Sequence, residues 1–177
     1  MSMLDPLVER LLGRRVEQLV QQALERQARD DLYRHRVHGD PAKLHLDPTA
    51  VVNNALFNLS SGEITVGPYA FFGHNVSVLT GTHDIEAYGR ERQTAIPRSG
   101  RDVVIHEGVW LASEVLVLGP CEIGAHAVVG AGSLVLGDVP AYAIVVGRPA
   151  KLVRMLQPGE APQAQAGAPQ AEASDPA

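Results

Sequence analysis

Apolar positions along this 177-residue chain follow two different periods. Between residues 4 and 30, Leu4, Leu7, Val8, Leu11, Leu12, Val16, Leu19, Val20, Ala23 and Leu24 recur at spacings of three and four, with Glu, Gln and Arg between them. That spacing predicts one amphipathic helix whose stripe packs on the body of the protein or on a neighbouring subunit. The polar side of the helix mixes acids with bases, which argues against a membrane-surface helix. Further along, the period is six. Ile105, Leu111, Val117, Ile123, Val129 and Val135 are all aliphatic, and the residues four places after each are Val109, Val115, Cys121, Ala127, Ser133 and Val139. Upstream, the same phase returns as Val66, Phe72 and Val78, with a weaker start at Leu46 and Val52.

A period of six fits neither an α-helix nor a long alternating strand, and hexapeptide repeats are a signature of parallel β-helices. Each hexad supplies a short strand and a turn, and three hexads close a triangular coil. The aliphatic residue points inward and stacks on its equivalent one coil away, about 4.8 Å distant. The predicted fold is therefore mainly β, a left-handed parallel β-helix preceded by an amphipathic helix. The phase breaks between His83 and Val103, where charged residues cluster with Pro97 and Gly100. That stretch must leave the prism as an exposed loop, and a long polar loop in a compact repeat protein is usually functional. From about Gln157 the chain is Ala, Pro, Gln, Gly and Glu, too polar to offset its ordering entropy, and is expected to be disordered. The organisation read from these patterns is a helical region over 1–43, a β-helix domain over 44–156 with loop 84–103, and a tail over 157–177.

Aromatics make up only 5% of the sequence, so the interior must be filled mostly by Val, Ile, Leu and Ala. The net charge of −5 is mild, and the basic residues near Arg26–Arg36 are interleaved with acids, so no nucleic-acid footprint is expected. Cys121 is the single cysteine, which excludes an internal disulfide and a thiolate metal cluster. Glu9, Arg10, Arg14 and Arg15 interrupt the apolar N-terminal run, so neither a signal peptide nor a membrane span is expected, and a cytoplasmic location is the default reading.

Four segments carry a resemblance. They are Thr82-His83-Asp84; Val109-Trp110-Leu111-Ala112-Ser113; Val129-Gly130-Ala131-Gly132-Ser133-Leu134-Val135 followed by Asp138-Val139-Pro140; and Val146-Gly147-Arg148-Pro149-Ala150-Lys151. In that order they resemble the hexapeptide-repeat acyltransferase superfamily, in particular the branch of maltose and galactoside O-acetyltransferases. The resemblance implies homotrimers with active sites between neighbouring prisms, and acetyl-CoA as the acyl donor with no metal. It places His83 at the position of the catalytic base and Ser113 where a backbone N–H meets the thioester oxygen. Asn53 lies where an asparagine holds the acceptor, with Asn54 as the alternative, and Trp110 matches a tryptophan beside the site. Ala131 matches a contact to the pantetheine arm, and Lys151 and Arg154 match basic positions that meet the nucleotide phosphates. Leu136-Gly137 departs from the Thr-Lys common in relatives, which shifts weight onto Lys151, Arg154 or Arg148.

The function these residues imply is transfer of acetyl from acetyl-CoA to a hydroxyl of a sugar or other small-molecule or glycan acceptor. An amine on a nucleotide-linked amino sugar is the alternative acceptor, and a non-catalytic structural β-helix is the alternative class. A zinc hydrase of the same fold needs converging histidines, but those from His74 onward stand 9, 23 and 20 residues apart, leaving no close pair. His74 is a weak candidate to approach His83, while His106 and His126 fall on turns and are expected to face solvent.

Overall fold

A computed structural model describes residues 5–157. Side chains of residues 5–11 and 28–30, and the expected tail from 158 onward, lie outside the described residues. The predicted helix is α1 (Asp5–Asp31). Fourteen short strands follow: β1 (Arg36–His38), β2 (Leu44–Leu46), β3 (Leu56–Asn58), β4 (Ile64–Val66), β5 (Phe71–Phe72), β6 (Ser77–Leu79), β7 (Val103–Ile105), β8 (Trp110–Leu111), β9 (Leu116–Leu118), β10 (Cys121–Ile123), β11 (Val128–Val129), β12 (Leu134–Val135), β13 (Ala143–Val146) and β14 (Lys151–Met155). They stack into three parallel sheets, ordered β1-β3-β6-β9-β12, β10-β7-β4-β2 and β14-β13-β11-β8-β5, with only β14 antiparallel. These are the three sides of a prism.

The hexad rule accounts for the interior. Ile105, Leu111, Val117, Ile123, Val129 and Val135 are all buried, and so are Val109, Val115, Cys121, Ala127, Ser133 and Val139. Each aliphatic side chain withdrawn from water stabilises the fold by roughly 1.5–3 kcal/mol, which is what ordered stacking needs to offset the chain entropy. Parallel pairing begins at Arg36, where β1 joins β3, upstream of the start expected at 44. Register also explains a departure at the N-terminal end. Leu116 pairs with Leu134, 18 residues on, but Leu56 pairs with Ser77, 21 on. The longer coil encloses more space, and two aromatics fill it: Phe57 and Phe72 are buried with ring centroids 6.3 Å apart.

The outward residues give each side a character. The β1-β3-β6-β9-β12 side presents Leu56, Leu79, Leu116, Leu118 and Leu134, all half-buried, and is here termed the leucine face. The β10-β7-β4-β2 side turns out His45, Thr65, Val104 and Glu122, and is the polar face. The third side stacks Phe71 on Trp110, with centroids 5.7 Å apart and planes 14° from parallel, and is the aromatic face.

The phase break is an excursion, as expected, though it is not structureless. Ser77 pairs with Leu116, 39 residues on, so the excursion takes about one extra coil's length of chain. It contains a short helix, α2 (Gly89–Thr94). Its neck is closed by Arg101, whose side-chain Nε–H donates to the Thr80 carbonyl at 2.9 Å and whose backbone N–H donates to Ser61 at 3.2 Å. The apolar stripe of α1 is not covered within the chain: Leu12, Val16, Leu19, Val20 and Leu24 are all more than half exposed. No helix of the described residues is long and apolar enough to cross a membrane.

Candidate active site

His83 stands where the leucine face turns into the polar face, at the start of the excursion. The side chain is exposed, and Nδ1 lies 2.9 Å from the backbone carbonyl of Arg92 in α2. A carbonyl can only accept, so Nδ1 carries the proton and donates it. The lone pair of the neutral ring is then on Nε2, free to take a proton from a substrate. Arg92 also braces the segment that holds the ring. Its Nε–H donates to the Ala87 carbonyl at 2.6 Å, Nη2 donates to Ile85 at 3.1 Å, and the guanidinium lies 4.9 Å from the centre of the Tyr88 ring. Asp84 N–H donates to Ala95 at 3.0 Å across the base of the excursion.

Ser113 sits at another corner, between the aromatic and leucine faces. Its hydroxyl accepts from the His74 N–H at 3.1 Å, and its carbonyl accepts from Gly132 N–H at 2.9 Å. Its own N–H has no acceptor among the described residues. The corner is tight: a Cβ at Gly73 would lie 2.5 Å from the Ser113 nitrogen, so only glycine permits this approach. Ala131 follows one coil on at the same corner, exposed. Arg148 reaches the same corner, its Nη1 donating to the Gly132 carbonyl at 3.3 Å. Lys151 and Arg154 lie on β14, fully on the surface, opposite Val146 and Ile144 of β13.

The remaining candidates separate. Asn53 has a left-handed backbone (φ 44°), and its Nδ2 donates to the Phe72 carbonyl at 2.7 Å. Asn54 is committed to Asn75, with which it exchanges two hydrogen bonds of 2.7 and 2.8 Å. Both belong to the Ser113 corner, not to the His83 corner. Asn58 is the asparagine on the His83 side. It lies in the outward row of the leucine face opposite Leu79, and a Cβ at Gly81 would come within 2.7 Å of its amide. An 18-residue period would set Leu79 opposite Ser61 instead. Only the 21-residue coil brings Asn58 into line with the strand that leads to His83.

Trp110 stacks on Phe71 on the aromatic face and is 43% exposed. His74 meets Tyr33 edge-on at 5.9 Å rather than approaching His83. His106 pairs with Glu122, and His126 is exposed, as expected for turn positions. Cys121 is buried, and burial, with the Asp138 charge adding to it, pushes its thiol up to about 12. Among the described residues no group of three or more His, Cys, Asp or Glu is placed to hold a metal ion.

A prism of hexapeptide coils with a single excursion defines a left-handed parallel β-helix protein, and residues 102–137 match the bacterial transferase hexapeptide family (six repeats). Curated relatives of similar sequence are named acetyltransferases. Galactoside O-acetyltransferase of Lactococcus lactis is 37% identical over 105 residues, 58% of this chain and 49% of that protein. Serine acetyltransferase 2 of Arabidopsis thaliana is 35% identical over 114 residues, 64% of this chain and 33% of that protein. The chain thus spans half or less of the length of these two relatives. Among solved structures, it is similar to a hexapeptide-repeat-containing acetyltransferase of Vibrio cholerae complexed with acetyl coenzyme A. That likeness has a TM-score of 0.50 at 26% identity and covers 77% of this chain and 78% of that one. The resemblance to hexapeptide-repeat acetyltransferases read from the four segments is borne out.

Proposed function

We propose that this chain is an acetyl-CoA-dependent O-acetyltransferase that acts on a hydroxyl of a saccharide or similar acceptor. The observation that carries the reading is the orientation of His83, an exposed imidazole fixed through Nδ1 to the Arg92 carbonyl with Nε2 left free. An unactivated hydroxyl is a poor nucleophile at neutral pH. Nε2 takes its proton as the oxygen attacks the thioester carbon, the C–S bond then breaks, and the imidazolium returns the proton to the departing thiolate. Negative charge on the former thioester oxygen is met by the unpaired N–H of Ser113. Asn58 lies on the His83 side of the leucine face and Asn53 on the Ser113 side, so a site shared between copies offers both asparagines to the acceptor hydroxyl. Ala131 and Arg148 lie along the corner assigned to the pantetheine arm, and Lys151 and Arg154 supply charge for the nucleotide phosphates.

His83 and Ser113 occupy opposite edges of the leucine face. A prism side of about six residues spans roughly 20 Å at 3.3 Å per residue, too far for both to meet one thioester. The reaction therefore needs His83 of one copy against Ser113 of the next, which supports a homotrimer with shared sites. Release of CoA from acetyl-CoA with an acceptor panel tests the reading. His83→Ala should lower kcat about 10³-fold, within the usual range for a lost general base. Unchanged turnover would remove His83 from the mechanism, and no CoA binding by calorimetry would leave the non-catalytic β-helix reading in its place.

A further inference from the structure

We propose that the cleft beside the N-terminal coil binds an anionic group carried by the acceptor, a carboxylate or a phosphate. The proposal rests on the reading of Ser113 as the point of transfer. The cleft encloses about 390 Å³ and is lined by Asp31, Arg34, His35, Arg36, Asn54 and Asn75.

Its position is set by the coil stack. Asn75 donates from Nδ2 to the Glu114 carboxylate at 2.7 Å, so Asn54, Asn75 and Glu114 form one column up the aromatic–leucine corner. Ser113 adjoins Glu114 at that corner, so Asn75 and Asn54 lie one and two coils on the N-terminal side of Ser113, and the backbone of Arg34 and Arg36 lies three coils away, about 15 Å, with their side chains lining the cleft beside both asparagines. The donor-binding residues Ala131, Arg148, Lys151 and Arg154 all lie on the opposite, C-terminal side. A thioester delivered to Ser113 from the C-terminal coils leaves the N-terminal side as the acceptor's approach.

The chemistry of the cleft is cationic. Residues 33–36 are fixed to the prism by the Tyr33 ring against His74, the His35 ring 5.8 Å from Phe57, and the pairing of Arg36 with Leu56. Arg34 and Arg36 line the opening between these contacts, and neither guanidinium has a hydrogen-bond or ion-pair partner among the described residues. Against these two cations the lining holds one carboxylate, Asp31. The chain as a whole has 20 acids against 15 bases, so an unpaired cationic cleft runs against its overall balance. Planar guanidinium forks are suited to grip a carboxylate or phosphate by two hydrogen bonds.

Acetyl transfer to glucose, glucuronate and glucose 1-phosphate at fixed acetyl-CoA tests this, with Arg34→Gln/Arg36→Gln as the variant and Arg14→Gln/Arg15→Gln on α1 as the control. The wild type should favour at least one anionic sugar over glucose by tenfold or more in kcat/KM, and the comparison of the two anions tells carboxylate from phosphate. The variant should bring that ratio near one, and the control should keep it. A wild type without preference, or a variant that retains it, overturns the proposal. Calorimetry with glucuronate and glucose 1-phosphate judges the cleft separately. Binding that the variant loses, in a protein that transfers no acetyl, would sustain the cleft while removing the transferase reading.

Discussion

The two edges of the leucine face differ in what they offer a reaction. At the aromatic–leucine corner the groups on offer are mostly backbone, the Ser113 N–H that has no acceptor among the described residues and the exposed Ala131 turn, with the Arg148 side chain over Gly132 beside them. At the leucine–polar corner they are side chains, an oriented His83 and Asn58 beside it. The first edge is built by unbroken repetition and the second by an interruption. Repetition yields a rigid row of donors along which an extended donor molecule can lie. The interruption yields an imidazole, His83, whose ring is set by a contact outside the prism. Between the two edges lie half-buried leucines, an apolar side that the proposed sharing of sites between copies would cover.

The largest effect should come from keeping the edges of different copies apart. Leu116→Glu with Leu134→Glu sets charges on the leucine face without touching either corner. Acetyl transfer should fall to background and the sedimenting species to a monomer, while far-UV circular dichroism stays unchanged. A monomer with full activity would show that one prism suffices. A sharper version mixes two inactive proteins. His83→Ala keeps the donor edge, and Lys151→Ala/Arg154→Ala keeps the base edge. Co-expressed, they should recover a substantial fraction of wild-type turnover, because some interfaces pair an intact His83 with an intact donor edge. If both edges served within a single chain, the mixture would remain inactive.

A smaller effect separates orientation from chemistry at the His83 edge. Arg92 holds His83 through its backbone and braces the excursion through its guanidinium, so Arg92→Ala keeps the carbonyl but frees the segment carrying it. Misplacing a reacting group costs up to about 100-fold, and we expect kcat to fall ten- to 100-fold with the KM for acetyl-CoA unchanged. Arg92→Lys should not rescue, since one ammonium cannot reproduce the fork that grips Ile85 and Ala87. Equal losses in kcat and in CoA affinity would assign Arg92 a general structural role instead.

The two edges were not equally legible in the sequence. The Ser113 edge follows from counting, because hexads from Ile105 to Val135 keep their phase and each corner residue falls where the period puts it. At the His83 edge, the position of the break was readable but its geometry was not. The Nδ1 contact spans nine residues through α2, a helix without a side-chain N-cap bond that is held by the tertiary contacts of Arg92. Nor was the register there readable, where a coil lengthened to 21 residues sets Asn58 opposite Leu79. The apolar stripe of α1 was read correctly as a stripe, yet periodicity names the face of a helix and not its partner, and within one chain that face stays uncovered.

The smallest expected effect compares the interior of the same two corners. Ser133 is buried and its hydroxyl accepts from Gly147 N–H at 3.0 Å, which ties the final turn to the aromatic–leucine corner. Ser133→Ala removes that bond, and because Gly147 is exposed and water can take the place of the hydroxyl, it should cost about 0.5–1.5 kcal/mol in urea unfolding. Cys121 near the leucine–polar corner has only a thiol to lose, and its contribution should depend on pH. The unfolded thiol titrates at about 9 and the folded one at about 12, so the folded state keeps its proton longer. Stability from this group is therefore full below pH 9 and is lost as pH rises from 9 towards 12. Cys121→Ala should show a shallower decline than wild type across that window. Parallel curves would mean that water reaches the thiol in the folded state, and with it the interior of the corner that carries His83.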